Sequence, residues 1–309
     1  MIELSNTALN VGQKIRLELL WLGSRMISAL PYWVKYYCVE RAIFGFLYYL
    51  MRYRMRIVKE NLRNSFPDKS ESERAVICRR FYHTLAEIFV DTMNMTHGDM
   101  GKFRDVLSIQ DFEQHRKEME GHDWIAMTAH FGCWEYCSYW GAFEPQQMTV
   151  AVYHPLHSKV MEQFYRRLRS NKNSTTVPMH DCLRFYLRHR EQGIDGKHIV
   201  MGLVADQNPP KRPNSHWFHF LNQDTLFFDG AEKLAVRCKL PVYFVGMKRL
   251  RPGCYQMAFD QIFDGVEQLP EYEITERYVR RLEKMIEEHP ELWMWSHRRW
   301  KHKRTDADC

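Results

Sequence analysis

Residues 124–135 read Trp124-Ile125-Ala126-Met127-Thr128-Ala129-His130-Phe131-Gly132-Cys133-Trp134-Glu135. The run from Trp124 to Ala129 follows Gly121 and is short and apolar, which suits a buried strand. His130 comes directly after it. In an open α/β sheet, ligand sites gather at the carboxyl ends of strands, so this histidine stands where chemistry is expected. It can act as a general base near neutral pH while a carboxylate holds its other ring nitrogen. On one continuous helix a spacing of five would put His130 and Glu135 on different faces. The pairing therefore predicts that His130 precedes a helix and Glu135 lies in its first turns, with Gly132 permitting a tight entry. Taken alone, the two residues fit equally a satisfied structural histidine and a glutamate complementing a helix dipole.

Similar apolar runs follow at 148–153, 198–205 and 240–247, separated by helical stretches at 159–170, 183–190 and 230–238, with a last helix at 275–288. Strands alternating with helices predict an α/β sheet with parallel elements. Upstream of about residue 120 the chain reads as helical, with turn signals at Ser65-Phe66-Pro67-Asp68 and His97-Gly98-Asp99. Ser70-Glu71-Ser72-Glu73 offers capping residues and first-turn acids for a helix through about Met95. Neither a repeat nor a Gly/Pro/Ser-rich linker divides the chain. The reading is a helical membrane-associating segment over 1–60 and an α/β domain over 61–309 that includes a helical lead-in to about 120.

The 309 residues are enough for a sizeable core, and a hydrophobic share of 45% fits a globular chain. An aromatic share of 14% and 17 methionines suit apolar grooves or membrane interfaces, so a greasy ligand is plausible. A net charge of +6, spread among nearly as many acids, does not demand nucleic acid, and no nucleic-acid module is recognisable. Basic residues do cluster at Arg52, Arg54, Arg56, Lys59 and Arg63, and again over 297–304. Phosphate-bearing partners or plain solvation account for either cluster. Eight cysteines without paired zinc spacing point to a reducing compartment, and no metal or cofactor is expected.

No stretch near the N-terminus reads as a secretory signal or as an uninterrupted span of about 20 apolar residues. Instead Leu19, Leu22, Met26, Leu30, Trp33 and Tyr37 recur at steps of three and four, which places them on one helical stripe. Such a stripe covers the protein's own core or meets a membrane. The neighbouring basic run and Trp21, Trp33, Tyr36 and Tyr37 favour membrane contact.

Several blocks together carry a resemblance. The His-x-x-x-x-Glu of His130 to Glu135 resembles the catalytic motif of the bacterial lipid A biosynthesis acyltransferase family, the late lauroyl and myristoyl transferases. Asn61-Leu62-Arg63-Asn64-Ser65-Phe66-Pro67, Ala205-Asp206-Gln207-Asn208-Pro209, Phe227-Phe228-Asp229-Gly230 and the segment from Leu292 to Lys301 resemble further family blocks, in order. The correspondence runs from roughly 15 to 302. One departure is His154, where the family commonly has Arg or Lys; a histidine supplies positive charge only when protonated.

The resemblance implies a glycerol-3-phosphate acyltransferase-like mixed sheet flanked by helices. It also implies His130 as base and Glu135 as its orienting carboxylate. The donor would be an acyl carrier protein thioester, the acceptor a hydroxyl of a lipid A precursor, and the place the cytoplasmic face of the inner membrane. No acyl-enzyme or metal is needed; backbone N–H groups after His130 are candidate oxyanion donors. For substrate binding the candidates are His154, Arg166, Arg167 and Arg169, with Asp206 and Gln207 at the end of the 198–205 strand. Asp206 and Gln207 would position the acceptor, support the loop, or merely cap the next turn. Trp293, Trp295 and Trp300 fit an interfacial belt or the core.

Overall fold

A computed structural model describes residues 9–97, 103–212 and 215–304. The turn read at Gly98-Asp99 and the cysteine at 309 lie outside the described residues. Helix α1 (Val11–Ser28) starts at Asn10, whose side chain accepts from the Gln13 backbone in a reciprocal capping box. A helical run over 32–50 follows, mixing α and π turns. Then come α2 (Met55–Ser65) and α3 (Glu71–Asn94). Ser70 and Glu73 cap α3 as their spacing predicts. The boundary expected near residue 60 falls within α2.

The main sheet contains β1 (Leu107–Ile109), β2 (Trp124–Thr128), β3 (Gln147–Tyr153), β4 (Ser174–Pro178), β5 (His198–Val204), β8 (Val242–Arg251) and β9 (Cys254–Phe263). Its order is β1-β9-β8-β2-β5-β3-β4. β2 is central, paired in parallel with β5 and β8, and every residue in it is buried. That is why it reads as an unbroken apolar run and not as an alternation. The 148–153 and 198–205 runs match β3 and β5 to within a residue. The fourth run extends to Arg251 and hairpins into β9, which pairs antiparallel, so the sheet is mixed. Beyond these runs the structure adds the short strands β1 and β4 and a separate hairpin of β6 (Trp217–Phe220) and β7 (Gln223–Leu226).

Helices cover both faces: α4 (Phe112–Met119), α5 (Lys159–Arg169), α6 (Cys182–His189), α7 (Gly230–Cys238) and α8 (Glu273–Glu288). On α8, Ile274, Tyr278, Val279, Leu282 and Ile286 recur at helical spacing and are buried. The Tyr278 hydroxyl donates to the carbonyl of Thr128, at 2.9 Å. This fixes the last residue of β2 from the opposite side of the sheet.

The N-terminal stripe points outward. Leu19, Leu22, Met26, Trp33 and Tyr37 are 57–65% exposed, whereas Ser24 and Ser28 of α1 are buried. Arg167 of α5 ties α1 down, pairing with Glu18 at 2.9 Å and lying 4.1 Å over the Trp21 ring. Among the described residues no helix is long and apolar enough to cross a membrane.

Candidate active site

β2 and β5 are in register through Thr128 and Val204, so the residues two steps beyond, His130 and Asp206, leave the sheet side by side. His130 Nδ1 donates to Asp206 Oδ1 at 2.7 Å, and the His130 backbone N–H donates to Asp206 Oδ2 at 3.1 Å. The indole N–H of Trp293 donates to the same Oδ2, at 2.9 Å. Burial alone would raise the Asp206 carboxyl, but the charge of His130 and these hydrogen bonds hold it below the usual aspartate value. A carboxylate fixed on Nδ1 leaves the Nε2 lone pair free to accept. The Gln207 amide occupies it, donating at 3.0 Å from an exposed side chain. Trp134 packs edge-on to the imidazole with ring centres 4.7 Å apart.

Glu135 is placed differently from the pairing read in the sequence. Its carboxylate faces Arg169, which donates from Nε at 2.7 Å and from Nη2 at 2.5 Å. Both oxygens are thereby taken, and both ring nitrogens of His130 are taken by Asp206 and Gln207. The reason is local. Gly132 turns the chain at φ +54°, and the segment from Trp134 to Ala142 is 3₁₀ and not α, which carries Glu135 towards α5. A β-carbon at Gly132 would lie 2.9 Å from the Tyr255 ring, so the turn is closed to larger residues. Burial tends to lower the Arg169 pKa, but the Glu135 charge and hydrogen bonds leave it raised.

His130 opens onto a cavity of 780 Å³. Its wall includes Glu135, Arg169, Arg166, His154 and Gln207. Arg167 is turned away towards α1, so it supports the N-terminal helix and does not line this space. His154 sits exposed at the rim, its Nδ1 on the carbonyl of Pro155. The loop N–H groups of Phe131 and Gly132 are engaged by the carbonyls of Ala129 and Leu292. The 3₁₀ segment that follows starts without a side-chain cap.

The tryptophan-rich tail proves to be structural support for this loop. Phe131 bridges to Trp293, and Asn61 of α2 donates to the carbonyls of Trp295 and His297 at 2.8 and 2.9 Å. Arg299 is buried, donates to Asn208 Oδ1 at 2.9 Å and lies 4.3 Å over the Phe227 ring. Burial lowers its pKa to about 10. Trp293 and Trp295 belong to the core and not to a surface belt.

The chain matches the bacterial lipid A biosynthesis acyltransferase family over residues 13–302. It belongs to that family. The matched range takes in every residue of the His130 site and the tail that braces it, and the family assigns this acyltransferase to lipid A biosynthesis. A comparison with curated proteins gives no match.

Proposed function

We propose that this acyltransferase takes its acyl group from an acyl carrier protein thioester and places it on a hydroxyl of a lipid A precursor, at the cytoplasmic face of the inner membrane. The observation that carries the reading is the Asp206–His130 pair at the mouth of a mainly apolar cavity. The acceptor hydroxyl displaces Gln207 from Nε2 and gives its proton to that nitrogen as its oxygen attacks the thioester carbonyl. Asp206 stabilises the resulting imidazolium. Collapse of the tetrahedral centre breaks the C–S bond, and the proton passes from Nε2 to the leaving sulfur. Gln207, once displaced, keeps its N–H within reach of the reacting carbonyl oxygen.

Membrane attachment is supported by the outward stripe of α1 and by Phe46, Tyr49, Leu50 and Met51, all more than half exposed and followed at once by the exposed cations Arg52, Arg54, Arg56, Lys59 and Arg63. With Arg167 and Arg169 already paired, an acidic carrier protein would be steered mainly by that same 52–63 cluster. A second reading, a lysophospholipid or aminolipid acceptor, is favoured by His154 at the rim, where a permanent cation would suit a phosphate better. A transfer assay with acyl carrier protein thioesters, offering a tetra-acylated lipid A precursor against a lysophospholipid, tests both. Acylated lipid A precursor is expected. Acylation of the lysophospholipid alone moves the enzyme to the second reading, and binding without transfer to either would leave a lipid-binding protein on an acyltransferase fold.

A further inference from the structure

β5 lies inside the sheet between β2 and β3, yet Gly202, Leu203 and Val204 keep appreciable exposure. The cavity is the cause, since all three line it. Alternation along the strands divides its lining into two limbs, one on each face. On the His130 face stand Thr128, Ala126 and Trp124; register places Ala126 beside Gly202, and Gly202 beside Ala151. Three adjacent strands thus present their smallest residues in one transverse row. A β-carbon at Gly202 would meet only strand backbone, at 3.6 Å or more, so the space above it is open.

The row below is bulky. Trp124 is joined there by Trp140 and Phe259, whose ring centres lie 5.8 and 6.0 Å from it. Both indole N–H groups donate to one oxygen of Gln147, at 3.0 and 2.6 Å. That clamp fixes the two largest side chains as a floor. Thr149, in the same row as Trp124, is 4% exposed, lines the cavity and has a hydroxyl with no hydrogen-bond partner. A buried hydroxyl without a protein partner is uncommon and calls for a water, because an alkyl chain cannot pair with it.

We infer that the limb over Ala126, Gly202 and Ala151 receives the acyl chain of the donor and that the Trp124–Trp140 floor sets the chain length transferred. The inference rests on the acyltransferase reading above. From Thr128 to Trp124 the strand falls by about 13 Å at a rise near 3.3 Å per residue. A linear saturated chain follows that course with its thioester at His130 and its methyl end at the floor. A row without β-branched side chains admits it; added methyl groups in the row would shorten the admissible chain.

The test is a competition among decanoyl, lauroyl, myristoyl and palmitoyl thioesters for one acceptor, read by mass spectrometry of the product. Gly202→Val should move the preferred chain to a shorter one and change the ratio of long to short product by at least about tenfold, the discrimination one or two methylenes bring in an apolar pocket. Ala151→Val, on the neighbouring strand in the same row, should shift the ratio the same way even if Gly202→Val fails to fold. Leu203→Met, on the opposite face, should leave the ratio alone. An unchanged ratio in both row variants overturns the inference while parent transfer keeps the acyltransferase reading intact. A shift in Leu203→Met alone puts the chain in the other limb and overturns it too. A parent that transfers none of the four chains removes the reading and the inference together.

Discussion

Asp206 and His130 are 76 residues apart, yet the carboxylate holds the histidine twice, through its ring Nδ1 and through its own backbone N–H. Side chain and loop are fixed by one group, so rotating the imidazole would break a backbone anchor as well. The Trp293 indole locks the carboxylate in turn. Such double fixing sets the Nε2 lone pair outward before substrate arrives, which is what a positioned base needs.

His130→Ala should therefore abolish transfer, with a loss of about 10²–10⁴-fold in kcat and a folded protein, because the ring is a proton acceptor and not core volume. Asp206→Asn should be comparably impaired, since an amide can present its N–H to Nδ1 and select the wrong tautomer. Steady-state kinetics with circular dichroism checks both. Near-normal turnover in either variant would remove the dyad.

Glu135→Ala should act chiefly on stability. It strands the Arg169 guanidinium in a site where Glu135 is 4% exposed, and breaking a buried ion pair on one side costs about 3 kcal/mol. Removing Arg169 as well, as Glu135→Gln with Arg169→Met, should recover much of the loss in denaturant melts. The pH–rate profile separates the roles: Glu135→Gln should keep the parent's limbs, whereas Asp206→Asn should displace them. A profile displaced by Glu135→Gln would return that residue to the proton-transfer chain.

The sequence made the scaffold of this site legible but not its wiring. β2 is buried throughout, and β3 and β5 are buried over much of their length and only half-exposed towards their carboxyl ends, so all three read as apolar runs, which located His130 and Asp206 at one sheet edge. Strand order and register are long-range facts, and only they bring Asp206 to Nδ1 in place of the nearer Glu135. Likewise Trp293 fitted an interfacial belt or the core alike, and Arg299 a basic tail; their hydrogen bonds to Asp206 and Asn208 depend on the tail returning beside the Phe131 loop. β9 was missed because its consecutive exposed residues Asp260 and Gln261 interrupt the apolar alternation.

Charge reversal in α2, Arg56→Glu with Lys59→Glu and Arg63→Glu, should raise KM for a carrier-protein thioester and leave KM for the matching coenzyme A thioester nearly unchanged. All three side chains are exposed, so the fold should tolerate the change. Added salt should weaken carrier-protein use in the parent and have little effect in the variant, because screening acts on steering. Equal donor use throughout would remove the carrier protein from the mechanism.

Leu19→Gln with Leu22→Gln and Met26→Gln should release the enzyme from vesicles containing anionic lipid without lowering its melting temperature. These residues are 57–65% exposed, so they contribute little to the core. Flotation measures binding; high salt alone should detach little of the parent, since apolar burial dominates. A variant that melts much earlier would assign the stripe to the protein's own packing.

Asp91 on α3 is fully buried between the hydroxyls of Tyr36, at 2.6 Å, and Tyr255, at 2.9 Å. Tyr36 belongs to the helical run over 32–50 and Tyr255 to β9, so this carboxyl joins the N-terminal helices to the sheet. Burial raises its pKa from 3.8 to about 7, outweighing the tyrosine hydrogen bonds, with Glu87 adding to the rise and Arg249 opposing it. A carboxyl whose folded pKa lies above its unfolded one contributes stability that is complete below the unfolded value and is lost as pH rises through the folded value. The window is therefore about pH 4 to 7. His297 acts in the opposite sense over the same range, because burial first and Arg299 second lower its pKa to about 4, and its contribution is lost as pH falls. Parent melting curves alone would mix the two. Asp91→Asn keeps an acceptor for one tyrosine and cannot ionise, so the difference in melting temperature between variant and parent should rise steadily from pH 4 to 7.5. A difference that stays constant across that range would mean that Asp91 does not change its proton occupancy on unfolding.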